Sequence, residues 1–161
     1  MTANFEGYRF ESIALQPLPR QKPLELWLGG LGPLALDRVA RLGDGWLTAS
    51  STPAEATAGR AAIEHRATEL GRVVDDEHFG ISIPYARRAP SAATVAAVKA
   101  RRSDGDISEI LPIGERELSK LIRAHIDGGL SKFVLRPVTA NSEDWHEELE
   151  WLAEQVLPLQ T

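Results

Sequence analysis

Residues 24–50 constrain the fold more than any other part of this chain. They read Leu24-Glu25-Leu26-Trp27-Leu28, then Gly29-Gly30-Leu31-Gly32-Pro33, an amphipathic run to Leu42, and after Gly43-Asp44 a second apolar run, Gly45-Trp46-Leu47-Thr48-Ala49. An apolar run, a glycine-rich turn, a helix-length segment and another apolar run predict a parallel βαβ unit. Gly29, Gly30 and Gly32 let the backbone approach a ligand closely. Pro33 suits the first helical position, so the free amides of the helix start face back toward the strand end, as in a phosphate cradle. The competing account is a tight turn that needs glycine for its geometry alone.

The same alternation continues along the chain. Residues 1–23 form a lead-in, with an extended or hairpin segment over residues 5–18 and a Pro17, Pro19, Pro23 cluster before the strand at Leu24–Leu28. Helix Pro33–Leu42 stops at Gly43. Thr52, Pro53 and Glu55 spell a capping box, predicting a helix through Ile63 and Leu70 to Gly71. Phe79, Ile81 and Ile83 alternate in a strand that ends near Pro84-Tyr85. Residues 86–114 read as an elaborated connection holding a helix over Ser91–Arg102, with Val95 and Val98 inward. Leu118, Leu121, Ile122, His125 and Ile126 share one helical face, closed by Gly128-Gly129. Lys132–Val138 is the fourth strand. Ser142 caps a last helix with Trp145, Leu149, Leu152 and Val156 inward.

Four strand–helix repeats imply a parallel sheet covered by helices, in one domain over 1–161: a small doubly wound sheet or part of a (βα)₈ barrel. A full barrel needs about 250 residues, so the chain has room for roughly half. The formal net charge of −5 and the absence of aromatics among the basic pairs Arg87-Arg88 and Arg101-Arg102 argue against nucleic-acid binding. With no cysteine, disulfides, thiolate catalysis and Cys-ligated zinc are excluded. No apolar run reaches the roughly 18 residues of a membrane span and no signal-peptide core is visible, so a cytoplasmic protein is expected. The histidines lack metal-ligand spacing, and no metal site is expected.

Several segments carry a resemblance: Phe5–Phe10, Leu15–Gln21, Leu26–Gly30, Ala40–Trp46 and Phe133-Val134-Leu135-Arg136-Pro137-Val138. In this order and spacing they resemble the bacterial luciferase-like monooxygenases, flavin- or deazaflavin-dependent oxidoreductases with a (βα)₈ barrel. The resemblance implies that this chain is the C-terminal half of such a barrel, strands five to eight. The cofactor implied is flavin mononucleotide (FMN) or a deazaflavin, with the Phe133–Val138 run leaning to the deazaflavin. The expected partners are that redox cofactor and a small-molecule substrate. A half-barrel leaves two unpaired edges and an open inner face, so a homo-oligomer or pairing with a separate N-terminal half is expected. The alternatives are a non-catalytic truncated remnant or cofactor-binding module with the same fold, and an unrelated doubly wound nucleotide-binding domain.

The resemblance implies that Gly29, Gly30, Leu31 and Gly32 bind the cofactor's phosphate end through backbone amides and the helix dipole. Thr48, Ala49 and Ser50, at the C-terminal end of their strand, are placed for ligand contact, although Ser50 also suits the cap region before Thr52. Arg136 is set to bind a phosphate or acidic substrate, or to pair with a carboxylate. Asp44 and Trp46 shape the cofactor end in one account; in the other, Asp44 holds a turn and Trp46 fills the core or the barrel bottom. Tyr85 is a hydrogen-bond donor or packing. His125 reads as a hydrogen-bonded core histidine, and Glu143-Asp144 with Glu147-Glu148 as a solvated face. No catalytic acid or base is identifiable.

Overall fold

A computed structural model describes residues 3–11, 16–100, 106–138 and 145–159. The expected cap Ser142, the acidic pair Glu143-Asp144 and the basic pair Arg101-Arg102 lie outside the described residues. Strands β1 (Ala3–Phe5) and β2 (Tyr8–Phe10) form a separate antiparallel pair. The main sheet is parallel, with β3 (Trp27–Leu28), β4 (Gly45–Ala49), β5 (Phe79–Tyr85) and β6 (Lys132–Pro137) lying side by side in sequence order. Helices α1 (Pro33–Leu42), α2 (Pro53–Glu69), α3 (Ala92–Lys99), α4 (Gly114–Asp127) and α5 (Trp145–Val156) fill the connections and follow the last strand.

Local chemistry accounts for these boundaries. The capping box of α2 is present in both directions: the Glu55 amide donates to Thr52 Oγ1 at 3.3 Å, and the Thr52 amide donates to Glu55 Oε2 at 2.8 Å. In the segment expected as strand Leu24–Leu28, only Trp27 and Leu28 join the ladder. The Leu26 amide instead donates to the Asp44 carboxylate at 2.8 Å, and the Leu26 carbonyl accepts from the Asp44 amide at 2.8 Å. Asp44 therefore holds a turn at the strand bases. Helix α3 is shorter than expected, and Val95 and Val98 are only half-buried.

Strand register sorts the side chains into two faces. Leu28, Trp46, Thr48, Phe79, Ile81, Ile83, Tyr85, Phe133 and Leu135 share one face. All but the hydroxyl-bearing Thr48 belong to the single core cluster, together with Val39 of α1, Ile63 of α2, Leu118 and Ile122 of α4, and Trp151 and Val156 of α5. The opposite face carries Trp27, Leu47, Ala49, Ser82, Val134 and Arg136, and none of these belongs to the cluster. Among the described residues the helices thus pack on one side of the sheet, while Ser82 and Pro84 of β5 are buried on the other. No helix among the described residues is long and apolar enough to cross a membrane.

Helix α5 is rotated relative to its expected face. Trp145 and Leu149 are 45% and 58% exposed, while Glu148 is buried and Trp151, Leu152 and Val156 pack on the core. Burial of a carboxylate in place of Leu149 is explained by its partners. Tyr85 Oη donates to Glu148 Oε1 at 2.5 Å, Arg87 lies 3.6 Å from Oε2, and Trp151 stacks on Tyr85 with ring centroids 5.8 Å apart. Glu148 therefore does not belong to a solvated acidic face.

Candidate functional site

The two ends of the parallel strands differ in how their polar groups are used. At the N-terminal end the chain satisfies itself. Arg72 donates to the carbonyls of Ala40 and Gly43 at 2.6 and 2.9 Å, His78 Nδ1 lies 2.9 Å from the Asp44 carbonyl, and Ser131 Oγ donates to the Glu77 carbonyl at 2.7 Å. Arg60 bridges Asp76 at 2.9 Å and the Gly129 carbonyl, with its guanidinium 4.6 Å from the Phe79 ring centroid. This end locks α1, α2 and the strand bases together.

At the C-terminal end the turn from Gly29 to Gly32 is shaped but less filled. Gly30 adopts φ +107°, and a Cβ there would lie 2.7 Å from Ala35 Cβ. A Cβ on Gly29 would lie 3.1 Å from the Leu47 carbonyl oxygen. Both glycines are thus explained by local geometry. Gly32 is different: a Cβ there would meet nothing within 4 Å, and its φ of −69° suits any residue. It is the N-cap of α1, it makes no side-chain capping bond, and Pro33 follows with no amide proton. Leu31 packs its side chain against the core. Gly30→Ala is expected to cost about 1–3 kcal/mol from backbone strain and the clash with Ala35, measured as a shift in urea midpoint.

Trp46 is fully buried on β4, and its Nε1 donates to the Gly30 carbonyl at 2.9 Å. The indole therefore fills the core and also pins the glycine turn at the C-terminal end of the strands. A Cβ on Gly59 of α2 would lie 2.7 Å from this ring, which explains glycine there. The sequence signal was present, since a tryptophan one strand away from a glycine turn carries a donor that must find a partner when buried.

The remaining expected residues divide by face. Thr48 points into the helix layer, where its hydroxyl has no hydrogen-bond partner among the described residues, so it is turned away from the open face. Ala49 is exposed on the open face. Ser50 adopts φ 51°, and its amide donates to the Ser82 carbonyl at 3.3 Å, closing β4 against β5. Next to it, Ser51 Oγ is buried and has no partner among the described residues. Arg136 lies on the open face, where its Nε donates to Ser82 Oγ at 2.8 Å. That bond fixes the guanidinium by one edge and, among the described residues, leaves its terminal nitrogens for a carboxylate or phosphate. Tyr85 is both packing and donor, but it faces the helices. Burial first, then the hydrogen bond and charge of Glu148, push its hydroxyl far above the ordinary tyrosine range.

His125 is buried in α4, and neither ring nitrogen has a hydrogen-bond partner among the described residues. Burial alone lowers it to about 4, so the ring is neutral. His65 and His146 are exposed beside Glu69 and Glu150 at 3.4 and 3.2 Å. Among the described residues no three His, Asp or Glu side chains form a metal-binding group.

Across β3–β6 the open face carries half-buried Trp27 and Leu47, exposed Ala49, Lys132, Val134 and Arg136, and the buried Ser82. Such a surface offers hydrogen bonds and positive charge. It holds no carboxylate or imidazole within the strands to move a proton.

Comparison with known proteins identifies the family. The family model described as luciferase-like monooxygenase matches residues 1–153. No curated protein matches the sequence. Among solved structures, an F420-dependent secondary alcohol dehydrogenase in complex with an F420–acetone adduct is similar over 100% of this chain and 56% of its own, at 16% identity and a TM-score of 0.70. A coenzyme F420-dependent tetrahydromethanopterin reductase from Methanopyrus kandleri is similar over 87% and 52%, at 14% identity and a TM-score of 0.61. A monooxygenase from Streptomyces bottropensis is similar over 98% and 55%, at 15% identity and a TM-score of 0.64. The chain thus spans about half the length of each. Identities this low establish the shared α/β architecture, and the family model establishes the kinship: the chain belongs to the luciferase-like monooxygenase family.

Proposed function

We propose that this chain forms strands five to eight of a luciferase-like (βα)₈ barrel and holds the phosphate end of a flavin mononucleotide or deazaflavin at its C-terminal rim. It would serve an oxidoreductase acting on a small-molecule substrate. The observation that carries this reading is the contrast between two helix starts on one rim. The N-terminus of α2 is filled by its own Thr52–Glu55 capping box, whereas that of α1 has no side-chain cap and has open space at Gly32. An anion is the natural occupant of such a helix start. The unpartnered Ser51 hydroxyl and the half-anchored Arg136 guanidinium on the same rim favour the same ligand chemistry.

The amides of the Gly29–Gly32 turn and Ser50 would hold the cofactor's phosphate end, with Trp46 fixing the turn from behind, and Arg136, three strands away on the same rim, offers a second anion contact. A bound flavin or deazaflavin supplies hydride transfer or, for the flavin, oxygen activation. The protein's part is orientation and exclusion of water. The run Phe133–Val138 favours the deazaflavin. A second reading, a cofactor-binding module without its own chemistry, is favoured by the lack of a carboxylate or imidazole on the open face of the strands.

Titration of the purified chain with FMN and with coenzyme F420, followed by absorbance, tests the proposal. Gly32→Asp puts a carboxylate at the cap and is expected to leave α1 as stable or slightly more so. It should weaken binding of either cofactor by about tenfold or more through repulsion of the phosphate. Equal affinity in the variant, or no binding of either cofactor by the natural chain, would overturn it. Turnover of a reduced cofactor by the chain alone would exclude the second reading.

A further inference from the structure

We propose that a second copy of this chain covers the open face of the sheet, with β6 of each copy beside β3 of the other in an eight-stranded parallel barrel. Arg136 of one copy then serves the Gly29–Gly32 turn of its partner. This rests on the cofactor reading only for the identity of the anion; the assembly stands on the sheet alone.

Four parallel strands with helices on one face are half of a closed structure, because all-parallel sheets have both faces covered or close into barrels. The chain exposes 10934 Å², roughly 3,000 Å² more than the ~7,900 Å² expected of a compact chain of its mass, an excess shared between the open face and the exposed lead-in over residues 16–26. A specific interface takes only about 800 Å² from each partner.

Register decides which residues meet. Within the chain Leu28 pairs with Trp46, Trp46 with Phe79, and Gly80 with Lys132. Closing eight right-tilted strands with the barrel shear of eight moves the register by about four residues toward the strand N-termini in each half-circuit. Lys132 therefore falls opposite the partner's Glu25, Phe133 opposite Leu26, Val134 opposite Trp27, and Arg136 opposite Gly29.

Each of these pairings is chemically matched. Lys132 and Glu25 are oppositely charged and both are solvent-accessible; Lys132 lies 3.5 Å from Glu77, and Glu25 accepts from Gln21 and from Trp27 Nε1, with His78 4.0 Å away. Val134 is 44% exposed on the open face, which it shares with Trp27. Leu24 and Leu26, 63% and 47% exposed at one edge, are carried to the other edge. There a groove of about 660 Å³ is lined by Ile122, Ile126, Leu130, Phe133 and Leu135. Arg136 and the glycine turn are three strand spacings apart within one copy, roughly 14 Å, but one spacing apart, about 4.8 Å, across the junction.

The test uses the full chain, which has no cysteine of its own. Sedimentation equilibrium should give twice the 17.6-kDa chain mass. The double variant Glu25→Cys/Lys132→Cys should oxidise to a covalent dimer on a non-reducing gel, and Lys132→Cys alone should not, because the two copies of residue 132 lie on opposite sides. Opposed strand residues fall within disulfide reach, whereas the same two positions within one copy do not. A monomer, or a dimer whose introduced thiols stay free, overturns the assembly.

Complementation then separates the shared site from the cofactor reading. Arg136→Ala and Gly32→Asp chains should each bind FMN about tenfold or more weakly alone; unfolded and refolded together, they should recover about one site of natural affinity per mixed dimer. No recovery, with the natural chain binding FMN, overturns the site across the junction. A disulfide-linked dimer that binds neither FMN nor coenzyme F420 leaves the assembly standing and refutes the cofactor reading.

Discussion

Trp46→Ala is expected to lower the unfolding free energy by about 3–5 kcal/mol, the usual cost of emptying a fully buried tryptophan site. The cavity would open between β4, Phe79 and α2, where Gly59 already gives the indole all the room the helix can yield. Trp46→Phe keeps much of the packing but leaves the Gly30 carbonyl without its 2.9 Å donor, at a cost of about 1–3 kcal/mol. The two variants separate packing from turn geometry. Urea unfolding followed by circular dichroism should place both midpoints below that of the natural chain, with alanine the lower. Cofactor affinity should already fall with phenylalanine, because the turn loses its anchor. Unchanged affinity in Trp46→Phe would mean that the Gly29–Gly32 turn holds its shape without the indole.

His125 gives the second large effect. In the unfolded chain it titrates near 6.5, and in the fold burial lowers it to about 4. The unfolded state therefore binds the proton more tightly, and stability rises with pH across this window. The contribution is fully present above about pH 6.5 and is lost as pH falls toward 4, by roughly 3 kcal/mol in total. Urea midpoints measured between pH 7.5 and 4.5 should show this decline. His125→Leu removes both the titration and the two unpartnered ring nitrogens, so its midpoint should be flatter with pH and no lower than that of the natural chain at pH 5. A natural chain whose stability did not change over that range would contradict the burial of the ring.

Much of this architecture was legible in the sequence, because its signals are local. The proline and glycine that bracket α1, the capping box of α2 and the alternation of Phe79, Ile81 and Ile83 each act within a few residues. What escaped depends on partners distant in sequence. Helix α5 has two apolar faces, and Tyr85, 63 residues away, decides that Glu148 turns inward. The same holds for Trp46, whose role was left open because its acceptor lies in another βα turn, 16 residues back. Thr48 was assigned to the ligand side from its nearness to the strand end. Its parity with Trp46 puts it on the helix side, a distinction the alternation rule already contained. The glycine turn is half explained by geometry, at Gly29 and Gly30. Gly32, the one whose conformation needs no glycine, is the position on which the proposed phosphate site rests.

The order of the strands bears on how the chain acquires its structure during synthesis. Since β3, β4, β5 and β6 lie in the sheet as they occur in the sequence, each emerging unit pairs with the strand made just before it. No strand has to be threaded between two that have already paired, and each closure spans a single strand–helix repeat. The ladder of β3 with β4 is short, two residue pairs against the six of β5 with β6, so the β3 edge of the sheet is held less firmly than the β6 edge.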